Sequence, residues 1–93
     1  MHIGALTLHL SLEGAQSLKE KRHALRSLLD RVRRTFNVSA AEVDHQDLWQ
    51  SATVGVAVVS NEAAFVHRVL EKVVDYVESD WRVVLEHYQI EML

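Results

Sequence analysis

The apolar residues of this chain change their period from two to that of a helix and back again within the first sixty positions. That switching restricts the folds open to it. From His2 to Leu12 the pattern alternates, with Leu6, Leu8, Leu10 and Leu12 on one side and Ile3, Ala5, Thr7, His9 and Ser11 on the other. Period two is the mark of a strand with one strongly apolar face. Glu13-Gly14-Ala15-Gln16 breaks the alternation as a loop. Leu18, Leu25, Leu28, Leu29, Val32 and Phe36 then recur at helical spacing and form one apolar stripe. Ser17 and Glu20 make the S-x-x-E capping box, in which each side chain satisfies a backbone N–H at the helix start. The helix is predicted to run to about Arg34 or Phe36, with Asn37 as its stop because Asn tolerates the left-handed cap conformation.

Val38–Val43 reads as a short strand, Asp44–Gln50 as a polar loop and Ala52–Val59 as a strand rich in β-branched residues. Asn61 is the predicted cap of a second helix, with Glu62 complementing its dipole. Val66, Val69, Leu70, Val73 and Val77 form its apolar face, with Phe65 alongside, and Ser79-Asp80 ends it. Trp81–Met92 is predicted as the last strand. The order strand, helix, strand, strand, helix, strand is the split βαβ pattern. It predicts an α+β, ferredoxin-like βαββαβ domain over residues 1–93, with two helices on one face of a four-stranded antiparallel sheet. The expected core holds Leu6, Leu8, Leu10, Leu25, Leu28, Leu29, Val32, Val66, Val69, Leu70 and Val73.

Helices on one side leave the other sheet face uncovered. On the third strand that face holds small or apolar residues whichever way the strand is turned. A broad apolar face is costly in water, so a homodimer is expected. The alternative is that small side chains, with Trp81 or Tyr88, cover the face within the monomer.

The 93 residues contain no cysteine, which removes thiolate catalysis, disulfides and zinc–thiolate or iron–sulfur ligation together. The N-terminus shows no signal-peptide pattern and no run approaches the roughly 20 apolar residues of a membrane span. A cytoplasmic chain that meets no membrane and carries no cofactor is expected. The net charge of −3 conceals an asymmetry. Residues 19–34 carry seven basic and two acidic side chains, whereas the rest of the chain is strongly acidic. Such a dipole orients a partner more than the net charge does.

No catalytic constellation emerges, and a non-enzymatic protein is expected. Of the six histidines, His9 or His2 is predicted to approach His87 across neighbouring strands, but three histidines without a carboxylate at fixed helical spacing are a weak metal signal, and half-exposed strand histidines are expected instead. Asp44, His45, Asp47 and Trp49 form the densest polar cluster. They suit a hairpin loop with Asx turns and Trp49 over the sheet end better than acid–base chemistry, for which no nucleophile is at hand. Lys21 falls on the apolar helix face, where a structural ion pair with Asp44 or Asp47 is expected ahead of a ligand contact. On the outer face Lys19, Arg22, Arg26 and Arg33 align, with Arg34 and Arg31 further round and Asp30 interrupting. This face suits a phosphate backbone, although a solvated helix surface has the same composition. The first and third strands lack the aromatic platform of an RNA-recognition motif, and the three glycines form no phosphate loop.

SLKEKR in the first helix, followed by FNVSAAEVDHQDLWQ and ATVGVAVVS, resembles the YlxP-like family of small bacterial proteins, a domain of unknown function. Lys19, Glu20, Lys21, Arg22, Asp44, Asp47, Trp49 and Gln50 match its pattern. The resemblance implies a ferredoxin-like fold and a genomic association with transcription, translation and ribosome maturation. It implies no catalytic residue. Ribosomal RNA or the ribosome is therefore the expected partner, with a homodimeric regulatory or small-ligand domain as the alternative.

Overall fold

A computed structural model describes all residues 1–93. The elements are β1 (His2–Ser11), α1 (Leu18–Thr35), β2 (Ser39–Asp44), β3 (Ser51–Ser60), α2 (Ala63–Glu78) and β4 (Val84–Met92). They make the ferredoxin-like α+β fold, with strand order β2-β3-β1-β4 and every pairing antiparallel. No helix is long and apolar enough to cross a membrane.

The alternation in β1 decides the layering. Leu6, Leu8, Leu10 and Leu12 are all at most 2% exposed, while the residues between them are half-buried. Register carries the same face across the sheet. Leu6 stands opposite Val56 and Ile90, and Leu8 opposite Val54 and Tyr88. The α2 helix lies across β1, β3 and β4, and α1 packs on β2 and against α2. Leu25, Leu28, Leu29 and Val32 of α1 and Val66, Leu70, Val73, Val74 and Val77 of α2 complete the core. Val69 is only partly buried and packs at its margin.

Helix α1 begins where the capping box requires. The Ser17 hydroxyl accepts from the Glu20 N–H at 3.1 Å, and the Glu20 carboxylate accepts from the Gln16 N–H at 2.5 Å. Three boundaries differ from the sequence expectation. The α1 chain leaves the helix through Phe36 in extended conformation, and Asn37 adopts no left-handed cap; His45 is the one non-glycine residue at positive φ. Glu62, not Asn61, is the N-cap of α2, and Ser60 Oγ accepts from its N–H at 3.3 Å. The hydroxyl one residue before Asn61 thus takes the turn. Strand β4 starts at Val84, because the Asp80 carboxylate bends the chain back through the Arg82 N–H at 2.8 Å. Trp81 lies in that turn, outside the sheet. Tyr88 shares the helix-facing side with Leu8, so neither aromatic covers the open face.

Gly4 sits where α2 crosses β1. A Cβ there would stand 2.5 Å from Val66 Cγ1 and 2.8 Å from Leu70 Cδ1. Both neighbours are fully buried, and a β-branched valine in a helix has essentially one rotamer. Gly4→Ala should therefore destabilise by about 1–3 kcal/mol through overpacking. Gly55→Ala, on the open face against half-exposed Val43, should stay within about 0.5 kcal/mol. Urea unfolding of both variants measures the difference, and equal effects would contradict the close crossing.

Candidate nucleic-acid interface and its supports

The polar residues separate into a buried lock, a row of imidazoles and an exposed basic groove. The lock is Lys21. Its side chain is fully buried among the leucines of α1, yet its ammonium leaves the core at the β2 end. Nζ donates to the His45 carbonyl at 2.8 Å and lies 2.6 Å from Glu42 Oε2. The Glu42 approach is close but off the hydrogen-bond direction, so the pair is held by charge and the directed bond goes to His45. Asp44 and Asp47 are not the partners. Glu42 stands opposite the inward-facing Val54 and so points toward α1, whereas Asp44 pairs with Thr53 on the other face. The Asp44 carboxylate instead accepts from the His45 N–H at 2.7 Å.

His45 holds the β2–β3 loop together. It takes the left-handed conformation at φ 65°, and its carbonyl accepts from both Lys21 and the Leu48 N–H. Its ring Nδ1 is 2.8 Å from Thr53 Oγ1. Thr53 is opposite His9, and the His9 ring stacks on His87 with centroids 4.0 Å apart. Three imidazoles thus lie along one end of the open face. Nowhere in the chain do three His, Asp or Glu side chains converge as a metal site needs, the Asp44–Asp47 loop included. Trp49 and Leu48 are both 48% exposed at the loop tip, so Trp49 is not tucked away. Gln50 ties the loop down, donating to the Ala15 carbonyl at 3.2 Å.

The basic residues of α1 differ sharply in what they touch. Arg33 donates through Nε at 3.1 Å and through Nη2 to the Ala40 carbonyl, and through Nη1 to Asp30. It fastens α1 to β2 and has little left for a ligand. Arg31 pairs with Asp80 at 2.5 Å. Lys19, Arg22, Arg26 and Arg34 are exposed and have no carboxylate within ion-pair distance. Arg22 and Arg26 form a ridge between two depressions. One holds Leu25, Leu29, Arg33 and Glu42. The other is a groove of about 850 Å³, bounded by Lys19, Arg22, His23 and Arg26 on one side and by Trp81 and Arg82 on the other.

The far wall of this groove was not visible in the sequence as part of a site. Trp81 is 89% exposed. It stands on a turn stapled to α1 through Asp80, whose carboxylate takes Arg31, the Arg82 N–H and, at 3.5 Å, Arg82 Nη2. Arg82 also reaches Ser27 Oγ at 3.3 Å and lies 5.9 Å from the Trp81 ring centroid. Burial alone would raise the Asp80 carboxyl, but the hydrogen bonds from Arg31 and Arg82 outweigh it and hold the carboxyl below its ordinary range. Hydrogen bonding to Asp80 in turn raises Arg31. A depressed carboxyl stabilises the fold above its unfolded pKa of about 3.9, and that contribution disappears as pH falls through the lower folded value. The sequence signal is Asp80 directly before Trp81-Arg82, which makes an Asx turn where the apolar pattern predicts a strand start.

Removing the Lys21 ammonium should expose the worth of the lock. Lys21→Met should cost about 3 kcal/mol, because it leaves Glu42, 17% exposed, beside the core without its partner. Adding Glu42→Leu should restore most of that loss, since an apolar pair avoids the desolvation of both ions. A double-mutant cycle by urea unfolding reads the coupling, and additive losses would show that the two side chains do not act as a pair.

Residues 3–90 match the family model described as "Protein of unknown function (DUF503)". The chain is 38% identical over 77 residues to the uncharacterized protein YlxP of Bacillus subtilis (strain 168), covering 83% of this chain and 84% of that one. Among solved structures, a REP-associated tyrosine transposase bound to a REP hairpin aligns over 98% of this chain at 15% identity and a TM-score of 0.44. This chain spans about half of that protein, 55% of its length. The family match over nearly the whole chain, together with the YlxP relative, places this protein in the DUF503 family.

Proposed function

We propose that the chain is a cytoplasmic, non-enzymatic binding module of RNA metabolism that contacts phosphates through the exposed face of α1. The observation that carries this reading is the division of the cations. Lys21, Arg31, Arg33, Arg68 and Arg82 are ion-paired within the protein. Four of the five cations without such a partner, Lys19, Arg22, Arg26 and Arg34, lie on α1; the fifth is Lys72 of α2. Cations left unpaired on one helix of an acidic protein form a single attractive face for a polyanion, while the remainder repels it. Arg22 and Arg26 are one helical turn apart, about 6 Å along the axis. Ribosomal RNA is the polyanion we favour.

The test is RNA binding across a salt series. Wild-type affinity should fall with a log–log slope near −2 for about three phosphate contacts, at about −0.7 each on a single strand. Arg22→Glu with Arg26→Glu should nearly abolish binding and leave the fold intact, because both side chains are exposed and unpaired. Arg33 is excluded from this variant, since its bonds to Ala40 serve the fold. Unchanged binding by the double variant would leave α1 an ordinary solvated face.

We also propose that a second copy covers the open sheet face. Ile3, Ala5, Ala57 and Val59 lie on it side by side, with Val43 and Val84 toward its edges. Val43, Val59 and Val84 are each more than half exposed. Nearly the whole face is uncharged, Glu91 and Asp44 at its margins excepted, so two copies meet there without repulsion. Light scattering over a concentration series should give twice the chain mass, and Val59→Lys should shift it to the single-chain value. A wild type that stays monomeric at its highest attainable concentration removes this assembly. A regulatory small-ligand domain built on the same interface is the alternative, and a metabolite that raises the melting temperature would favour it.

A further inference from the structure

We infer that the groove between α1 and the α2–β4 turn is a subsite for one unpaired nucleotide, with the base stacked on Trp81 and its phosphates held by Lys19, Arg22 and Arg26. This rests on the phosphate-binding reading of α1 and adds what that reading lacks, a group that recognises a base. Trp81 is as exposed as the N-terminal methionine, although indole is a large apolar ring that ordinarily finds cover. It is not exposed through slackness of the chain. The residue before it is nearly buried and bonded to Arg31, and the residue after it is tied to Ser27. Val83 beyond them is buried in the core. The turn thus fixes the backbone from which the ring projects.

The wall facing Trp81 is cationic. Lys19, Arg22 and Arg26 line it against the single carboxylate of Glu20, which is engaged by the Gln16 N–H. An aromatic face beside clustered cations, none of them aimed at a particular base edge, is the chemistry of single-strand recognition: stacking on any base, and charge for the backbone. A duplex keeps its bases stacked on one another and offers the indole nothing, so the subsite selects single-stranded over double-stranded RNA. A rigid ring also loses little freedom on binding. Leu12, Ala15 and Ala24 line the groove with small apolar surface, and Trp81 is its one indole, which suits a single base on that ring.

The experiment uses the full chain carrying Trp49→Phe, which leaves Trp81 as the sole indole. A short single-stranded RNA should quench its fluorescence, and the quench should weaken with salt. The same strand with abasic positions, which retains the phosphates, should bind roughly tenfold more weakly, and a blunt RNA duplex should not quench. Trp81→Ala should lose about tenfold in affinity for the single strand while binding the abasic strand as its parent does, and Trp81→Phe should recover most of the loss. Free adenosine monophosphate separates the sources: affinity equal to that of the strand would overturn the assignment to a polymer. If Trp81→Ala binds single-stranded RNA as its parent does while the Arg22→Glu, Arg26→Glu variant fails, the stacking subsite is wrong and the phosphate face stands. If neither variant changes binding, both are wrong.

Discussion

Leu6, Leu8, Leu10 and Leu12 give β1 one face that has to be kept dry, and β1 is an interior strand of the sheet. Burying a leucine is worth about 1.5–3 kcal/mol, so four on one strand compel both helices to the same side. The other consequences follow from that choice. Both crossovers run over one face, the opposite face receives no element of the chain, and α1 lies above β2 with its basic side turned outward. The open face and the basic groove are thus products of one packing decision, and they lie on different sides of the molecule. A second copy on the sheet, as proposed, would leave α1 free for a polyanion.

The periodic elements were legible because burial alone dictates them. The leucine alternation, the helical stripe from Leu25 to Val32 and the Ser17–Glu20 box each name an element by local rules, and the structure has all three. What could not be read depends on where side chains meet across the fold. Lys21 was visibly misplaced on an apolar face, but choosing Glu42 over Asp44 requires the β2–β3 register, which a bulge near Val43 alters. Arg33 looked equivalent to Arg22 and Arg26 on a helical wheel. Its difference arises from the Ala40 carbonyl, a neighbour that only the packing of α1 on β2 supplies. Trp81 continued the apolar pattern of β4 in sequence, and a single Asx bond from Asp80 takes it out of the strand.

Hydrogen bonding and charge here divide into work done inside the protein and capacity left outside it. The buried polar groups are nearly all used: Lys21 on Glu42 and His45, Thr53 on His45, Asp80 on two arginines. Groups so engaged are poor candidates for chemistry, since a base or nucleophile needs a lone pair facing substrate. The unengaged groups that face the groove are Lys19, Arg22 and Arg26 with the Trp81 indole, which suit binding and stacking.

Asp80 joins the two inventories. Its carboxylate is almost wholly buried, a costly position for a charge, and it is tolerated because Arg31 and Arg82 meet it there. The same bonds set the position of Trp81 relative to α1. An aromatic ring on a free turn would have to be ordered each time a ligand arrived, and that entropy would be lost from the affinity. By fixing the turn to α1, the staple incurs the ordering cost during folding, when core burial drives the reaction. Arg31 is therefore part of the basic helix without belonging to its exposed face: its charge is spent on Asp80, and it holds the opposite wall of the groove in register with Arg22 and Arg26.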